Sequence, residues 1–229
     1  MEGTKKTIIR ILKFGMMILA QAIYLPLNQN LSGGYLTRIW LDDYIPLLPV
    51  WTIPYVLWLP ACLVFTFWAA MKMEDYVFSA YFTGALVTIL MSMGIFFLFP
   101  TYVVRPDVIG NDIFSNMLRG VYQNDQLYNA LPSGHVYLVV FTALFYICWH
   151  SSRSYSLKSI IWQSWRTWFW IGMIVIVSLS AIFTGQHSII DIPGGAVVAI
   201  LGYFSGWWWA GKRRNVPKLA GVDEISEPS

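Results

Sequence analysis

Charge is scarce in this chain. Asp, Glu, Lys and Arg make up 12% of its 229 residues, about half the share usual in a soluble domain. Cysteine is nearly absent, and both copies, Cys62 and Cys148, fall inside apolar runs. That argues against a disulfide framework and leaves the redox compartment open. The net charge of +3 is small and scattered, which argues against a nucleic-acid partner. No internal repeat is visible. Abundant instead are apolar residues, 57% of the chain, and 12 tryptophans. That composition belongs to an integral membrane protein.

Apolar stretches near the ~20 residues needed to cross a bilayer occur at roughly 8–28, 47–71, 76–99, 134–150, 167–184 and 189–210. The expectation is an all-α membrane domain of six spans over 1–214, followed by a mobile cytoplasmic tail over 215–229. Lys5, Lys6, Arg10 and Lys13 ahead of an apolar run imitate a signal peptide, with Ala20-Gln21-Ala22 as its cleavage site. The apolar run continues through that point, so an uncleaved first span is the reading. With the N-terminus inside, 12 of the 15 lysines and arginines fall on the inner side, leaving Arg38, Arg105 and Arg119 outside. That asymmetry supports N-in, C-in topology. Trp207-Trp208-Trp209 before Gly211-Lys212-Arg213-Arg214 reads as an interfacial anchor.

The outer loop at about 100–133 is the richest polar region, and a loop of that length tends to be functional or to hide a short helix. Asp112–Arg119 fits such a helix, capped by Asn111 or Asp112. Three polar clusters share this outer side: Phe99 to Pro106 with Arg105, Leu131-Pro132-Ser133-Gly134-His135, and His187 with Asp191. The third histidine, His150, falls on the opposite face as an interfacial residue. Each cluster suits a phosphate ester. Arg105 offers a planar charged fork, and Ser133 and Gly134 present N–H groups at a helix N-terminus. His135 can donate a proton to a leaving oxygen. On a helix, His187 and Asp191 face the same way, so the carboxylate orients an imidazole that attacks phosphorus. Asp191 also suits a simple helix cap, with Pro193 in the first turn. Pro-Ser-Gly alone is an ordinary helix start, and Arg105 alone a snorkelling arginine.

In order and spacing, Arg105-Pro106, Pro132-Ser133-Gly134-His135 and Ser180…Gly185-Gln186-His187…Asp191 resemble the three signature motifs of the type-2 phosphatidic acid phosphatase, or lipid phosphate phosphatase, superfamily. Its helical core is shared with vanadium haloperoxidases. The resemblance covers about residues 98–195 through the motifs and most of the chain through the span plan. It implies a metal-independent phosphohydrolase without a cofactor. His187 would be the nucleophile forming a phosphohistidine, Asp191 its orienting partner and His135 the general acid. Arg105, Ser133 and Gly134 would bind phosphate. Two family cations are missing: Leu98 stands where a lysine is usual, seven residues before the arginine, and Ala181 where an arginine follows the serine. Arg119 is the other outer cation nearby and is expected to substitute in part, with Thr184, Gln186, Thr101, Tyr102 and Tyr128 as neutral donors. The third motif also resembles the inositol-phosphoceramide-synthase-type branch.

The expected activity is removal of phosphate from a lipid-linked phosphate or diphosphate at the outer leaflet, on the non-cytoplasmic side of a multi-pass protein. The partners are that lipid and the surrounding membrane lipids. Transfer of a phospho-head group to an alcohol is the alternative enzyme reading, and a non-catalytic lipid-phosphate binder is the alternative outside enzymes. Nothing in the span faces encodes the head group, and no GxxxG element stands out as a dimer face.

Overall fold

A computed structural model describes the backbone of residues 2–151 and 157–215, and the side chains of 3–149 and 165–212. The expected tail beyond 215 and the side chain of His150 lie outside the described residues. The helices are α1 (Glu2–Ala22), α2 (Tyr24–Asn30), α3 (Thr52–Lys72), α4 (Asp75–Leu98), α5 (Ile113–Asn124), α6 (Gly134–Ser151), α7 (Leu157–Phe183) and α8 (Asp191–Asn215). Each of the six apolar stretches is mostly one long helix, α1, α3, α4, α6, α7 or α8. Among the described residues, four segments are both long and apolar enough to cross a membrane: Gly3–Asn30, Pro49–Lys72, Asp75–Leu98 and Trp165–Phe183. The apolar run of α6, Gly134–Trp149, is shorter, and α8 dilutes its apolar residues with five glycines and the three tryptophans.

The centre of the bundle is α4 packed along α8, with α6 against both and α7 against α6. Small residues permit the α4–α8 approach. A Cβ placed on Gly206 would stand 2.2 Å from the Ala80 carbonyl oxygen, and one on Gly202 would stand 2.8 Å from that of Gly84. Gly202 and Gly206 form a GxxxG pair that the sequence reading passed over, a device that lets helix backbones close where lipid gives no hydrophobic drive. Here the pair is consumed inside the chain. Aromatic rings fill the remaining core, with Trp58, Phe78, Tyr81, Tyr137 and Phe145 fully buried.

The two ends of the bundle differ. At one, Arg10 of α1 is buried and donates to the carbonyls of Ala70 (2.7 Å) and Met73 (2.8 Å) where α3 ends. It also pairs with Asp75 (2.6 Å), which begins α4. The guanidinium thus satisfies orphan carbonyls at a helix C-terminus. The opposite end carries the polar connections. There β1 (Tyr35–Leu36) pairs in parallel with β2 (Thr101–Tyr102), and Tyr102 bridges to Tyr128 on the other side. The loop after α2 is thereby laced to the loop after α4. Asn28 fastens the same mat, donating to the carbonyls of Tyr128 (2.9 Å) and Gln126 (3.3 Å) and accepting the Gln126 N–H (2.7 Å). The surface helix forms as α5. Asp112 is its cap, accepting from the N–H groups of Phe114 (2.9 Å) and Ser115 (3.1 Å).

Candidate functional site

All three polar clusters meet at the laced end. The third does so differently from the helical expectation. Residues 184–190 are turn and bend, not helix, because Gly185 takes a left-handed φ of +66°, where the α7 ladder stops. A tight turn then returns the chain: Asp191 N–H donates to the Ser188 carbonyl (3.0 Å), and Ser188 N–H donates to Asp191 Oδ2 (2.8 Å). His187 and Asp191 still meet, with Nδ1 and Oδ2 3.5 Å apart. The shorter partner of Nδ1 is the Ala130 carbonyl, at 2.9 Å. A carbonyl can only accept, so Nδ1 carries the proton and Nε2 keeps its lone pair. Asp191 is fully buried as the first residue of α8. The Thr37 hydroxyl lies 3.3 Å from its Oδ2.

His135, the second residue of α6, is buried beneath Tyr55 of α3, with ring centroids 3.8 Å apart and nearly parallel. Its Nε2 faces the Tyr55 carbonyl at 3.2 Å. By the same reasoning Nε2 bears hydrogen, leaving Nδ1 as the working nitrogen. Ser133 is completely buried, and its N–H donates to the Asp191 carbonyl at 3.1 Å. That N–H is therefore engaged between the starts of α6 and α8, contrary to its expected use as an anion donor. The Ser133 hydroxyl has no partner among the described residues.

Arg105 has another occupation as well. Its Nη1 donates to the carbonyls of Asp125 (2.6 Å) and Tyr122 (3.3 Å), and Nη2 to the carbonyl of Gln126 (2.7 Å) and the side-chain oxygen of Gln186. It closes the C-terminus of α5 and stacks over the Tyr122 ring at 4.7 Å. Its contact with Gln186 ties the first motif to the third. Nε, buried, remains without a partner among the described residues, as does Gln186 Nε2. Burial pushes the Tyr122 hydroxyl up to about 12, with Arg105 pulling it the other way. Tyr122 is thus a neutral donor, to the Thr184 carbonyl at 2.7 Å.

Arg119 does not join the histidines. It is spent on the carbonyls of Val108 (2.9 Å) and Gly110 (2.6 Å) and on Asn116 (2.6 Å), ordering the loop ahead of its own helix. Of the expected neutral donors, Thr184 hydrogen-bonds back to Ser180 within its own turn (2.6 Å). Thr101 braces the Leu131 N–H (2.8 Å). At the position of the missing lysine, Leu98 is two-thirds exposed. At that of the missing arginine, the Ala181 carbonyl accepts the N–H groups of both Gln186 and His187 at 3.1 Å.

His187, His135 and Gly134 open on one groove of about 680 Å³ between α1, α2, α3, α5 and α6, walled by Ile18, Leu25, Val56, Leu59 and Leu63. Ile18, Leu59, Leu63 and Leu138 also line an apolar cavity of about 250 Å³. Behind His187 lies a polar cavity of about 90 Å³ bordered by Arg38, Asp42 and Gly185. Among the described residues, no cluster of three or more His, Cys, Asp or Glu could hold a metal ion.

The order of motifs, their convergence and the helical core agree with a match across α4 to α8: the model of the PAP2 superfamily fits residues 75–215, more than half of the chain. The chain belongs to the PAP2 superfamily. No curated protein and no solved structure matches it. PAP2 membership supports phosphatase-type phosphoryl transfer, and with the apolar helices it marks a membrane protein. Several groups around this PAP2 site gave little or no signal in sequence. Thr37, Arg38 and Asp42 sit in a connection that no motif covers and are carried in by β1 pairing with β2. Tyr24, Tyr55 and Asp125 face the groove, the tyrosines inside runs that read simply as span.

Proposed function

We propose that the chain is a membrane phosphohydrolase that removes phosphate from a lipid-linked phosphate through a phosphohistidine on His187. The observation that carries this reading is the Ala130 carbonyl at 2.9 Å from Nδ1, which leaves Nε2 as a nucleophile in a groove shared with His135. His187 Nε2 attacks phosphorus as the bond to the lipid oxygen breaks. His135 takes a second proton on Nδ1 only with the anionic phosphate in place beside it, passes it to that oxygen, then takes one from the water that cleaves the phosphorus–nitrogen bond. The carboxylate of Asp191 stabilises the positive charge that develops on His187. Ser133 Oγ, Arg105 Nε and Gln186 Nε2, buried donors without partners among the described residues, supply hydrogen bonds to phosphoryl oxygens, and Gly134 N–H adds the positive start of α6. Arg38 borders the polar cavity beside His187 but its Nε donates to Asp43 (2.8 Å), so it does not stand in for the missing lysine and arginine.

The apolar groove receives the lipid chain laterally. Six crossings with both termini inside put this site at the outer leaflet. Lys5, Lys6, Arg10 and Lys13 at the opposite end support that orientation. The reaction uses no metal. The test is phosphate release in detergent with excess chelator, across several lipid phosphates, for wild type and His187→Ala. Chelator-resistant release lost in the variant is expected. Donor consumption without release, in the presence of an alcohol, would instead indicate transfer. Equal behaviour of wild type and variant would overturn the reading.

A further inference from the structure

Asp125 is the acidic side chain of the groove that holds both histidines, and the mechanism above does not use it. Its backbone is fixed on both sides. The N–H closes α5 on the Val121 carbonyl (2.9 Å), and its carbonyl accepts from Arg105 (2.6 Å). The carboxylate turns the other way, into the groove. There Tyr24 donates to Oδ1 (2.8 Å) and Tyr55 to Oδ2 (3.3 Å). Two hydroxyls fill two of its roughly four acceptor positions. No lysine or arginine among the described residues forms an ion pair with it. Tyr55 also stacks on His135, so the carboxylate stands one ring from the proposed general acid.

A half-buried carboxylate with spare acceptor positions has chemical consequences in an otherwise apolar groove. A plain hydrocarbon chain passing it leaves those positions unsatisfied, which is unfavourable. A second phosphate would meet like charge. A hydroxyl or an amine fits. We infer that Asp125, held by Tyr24 and Tyr55, recognises a hydrogen-bond-donating hydroxyl or amine beside the phosphate, on its lipid side. Resting on the lipid-phosphate reading, this narrows the substrate class to lipid monophosphates with a free hydroxyl or amino group near the phosphoester. Diphosphates and fully esterified lipids become poor substrates. The same donor chemistry could come from the hydroxyl of a second molecule that replaces water.

The experiment measures kcat/KM in detergent for a long-chain alkyl phosphate, a lysophosphatidate and a sphingoid-base phosphate of matched chain length. It uses wild type and Asp125→Asn, each with and without an added long-chain alcohol. Wild type should favour the donor-bearing substrates by about tenfold or more, since a site built to bond a polar group rejects the analogue that lacks it. In the variant that ratio should fall toward one. A general loss of folding would lower all three rates together and leave the ratio intact, so the ratio reports recognition alone. If the substrates are used alike but transfer to the alcohol depends on Asp125, the donor group belongs to the acceptor. Ratios and transfer that are the same in variant and wild type overturn the inference and leave the phosphatase reading standing. Absence of release and of transfer from every substrate overturns both.

Discussion

Replacing Asp191 with Asn separates two jobs that a carboxylate beside histidine can do. Asp191→Asn keeps the shape of a fully buried side chain and removes its charge. If the carboxylate alone fixed the imidazole tautomer, the loss would approach that of removing the histidine. Here the Ala130 carbonyl holds Nδ1–H at 2.9 Å, against 3.5 Å to Asp191. The tautomer therefore survives the substitution. What disappears is attraction between the carboxylate and the charge that grows on His187. At 3.5 Å and an effective dielectric constant near 20, that attraction is about 5 kcal/mol before screening and reorganisation. Asn retains a dipole and the bond from Ser188 N–H, so a net barrier increase of about 2–4 kcal/mol is reasonable, a 30- to 1,000-fold fall in kcat. The assay is steady-state phosphate release, with His187→Ala measured alongside. An Asp191→Asn enzyme as dead as His187→Ala would refute Ala130 as the tautomer-setting partner. An unchanged kcat would refute the electrostatic role.

Three further outcomes follow from the packing. Arg105→Lys keeps the charge but not the fork that spans the carbonyls of Tyr122, Asp125 and Gln126. It should lower thermal stability by about 2–4 kcal/mol, given ~1.5–3 for each charged hydrogen bond and partial replacement by the ammonium. It should also impair turnover, and unaltered melting and rate would contradict the arrangement. Gly206→Leu forces a side chain where even a Cβ lies 2.2 Å from the Ala80 carbonyl oxygen, so α4 and α8 must separate. A drop in melting temperature in detergent is expected, and none would contradict the close approach. The Asp112 carboxyl is held below its usual range by the Ser115 hydroxyl, then by the Ser115 N–H. A lowered value means its cap is intact above the unfolded pKa near ~3.9 and lost as pH falls through the folded one. At neutral pH, Asp112→Ala should speed hydrogen exchange at Phe114 and Ser115, whereas wild type should show that change only in acid.

Sequence reading found the three clusters because each is a polar interruption between apolar runs, and histidine and arginine are costly there unless used. It narrowed the α5 cap to Asn111 or Asp112 from side-chain chemistry alone, and the structure selects Asp112. It failed where backbone decides. Gly185, directly after an apolar run, is an ordinary helix-stop residue, a signal that the conditional helical pairing of His187 with Asp191 set aside. The Ala130 carbonyl, a backbone group, could not be foreseen. Arg105 looked free because three of its four hydrogen-bond partners are backbone carbonyls, which every residue possesses. Thr37 and Asp42 reach the third motif through a two-residue strand pairing that leaves no pattern. Arg119, close to the site along the chain, turns to its own loop for the same reason: three acceptors lie nearer than the groove.

The most direct measurement is rapid quenching of the enzyme during turnover of a substrate labelled in its phosphate, under alkaline denaturing conditions. Label should remain on the protein in an alkali-stable, acid-labile bond, and His187→Ala should carry none. Continued turnover by His187→Ala, or label equally present in that variant, would contradict His187 as the nucleophile.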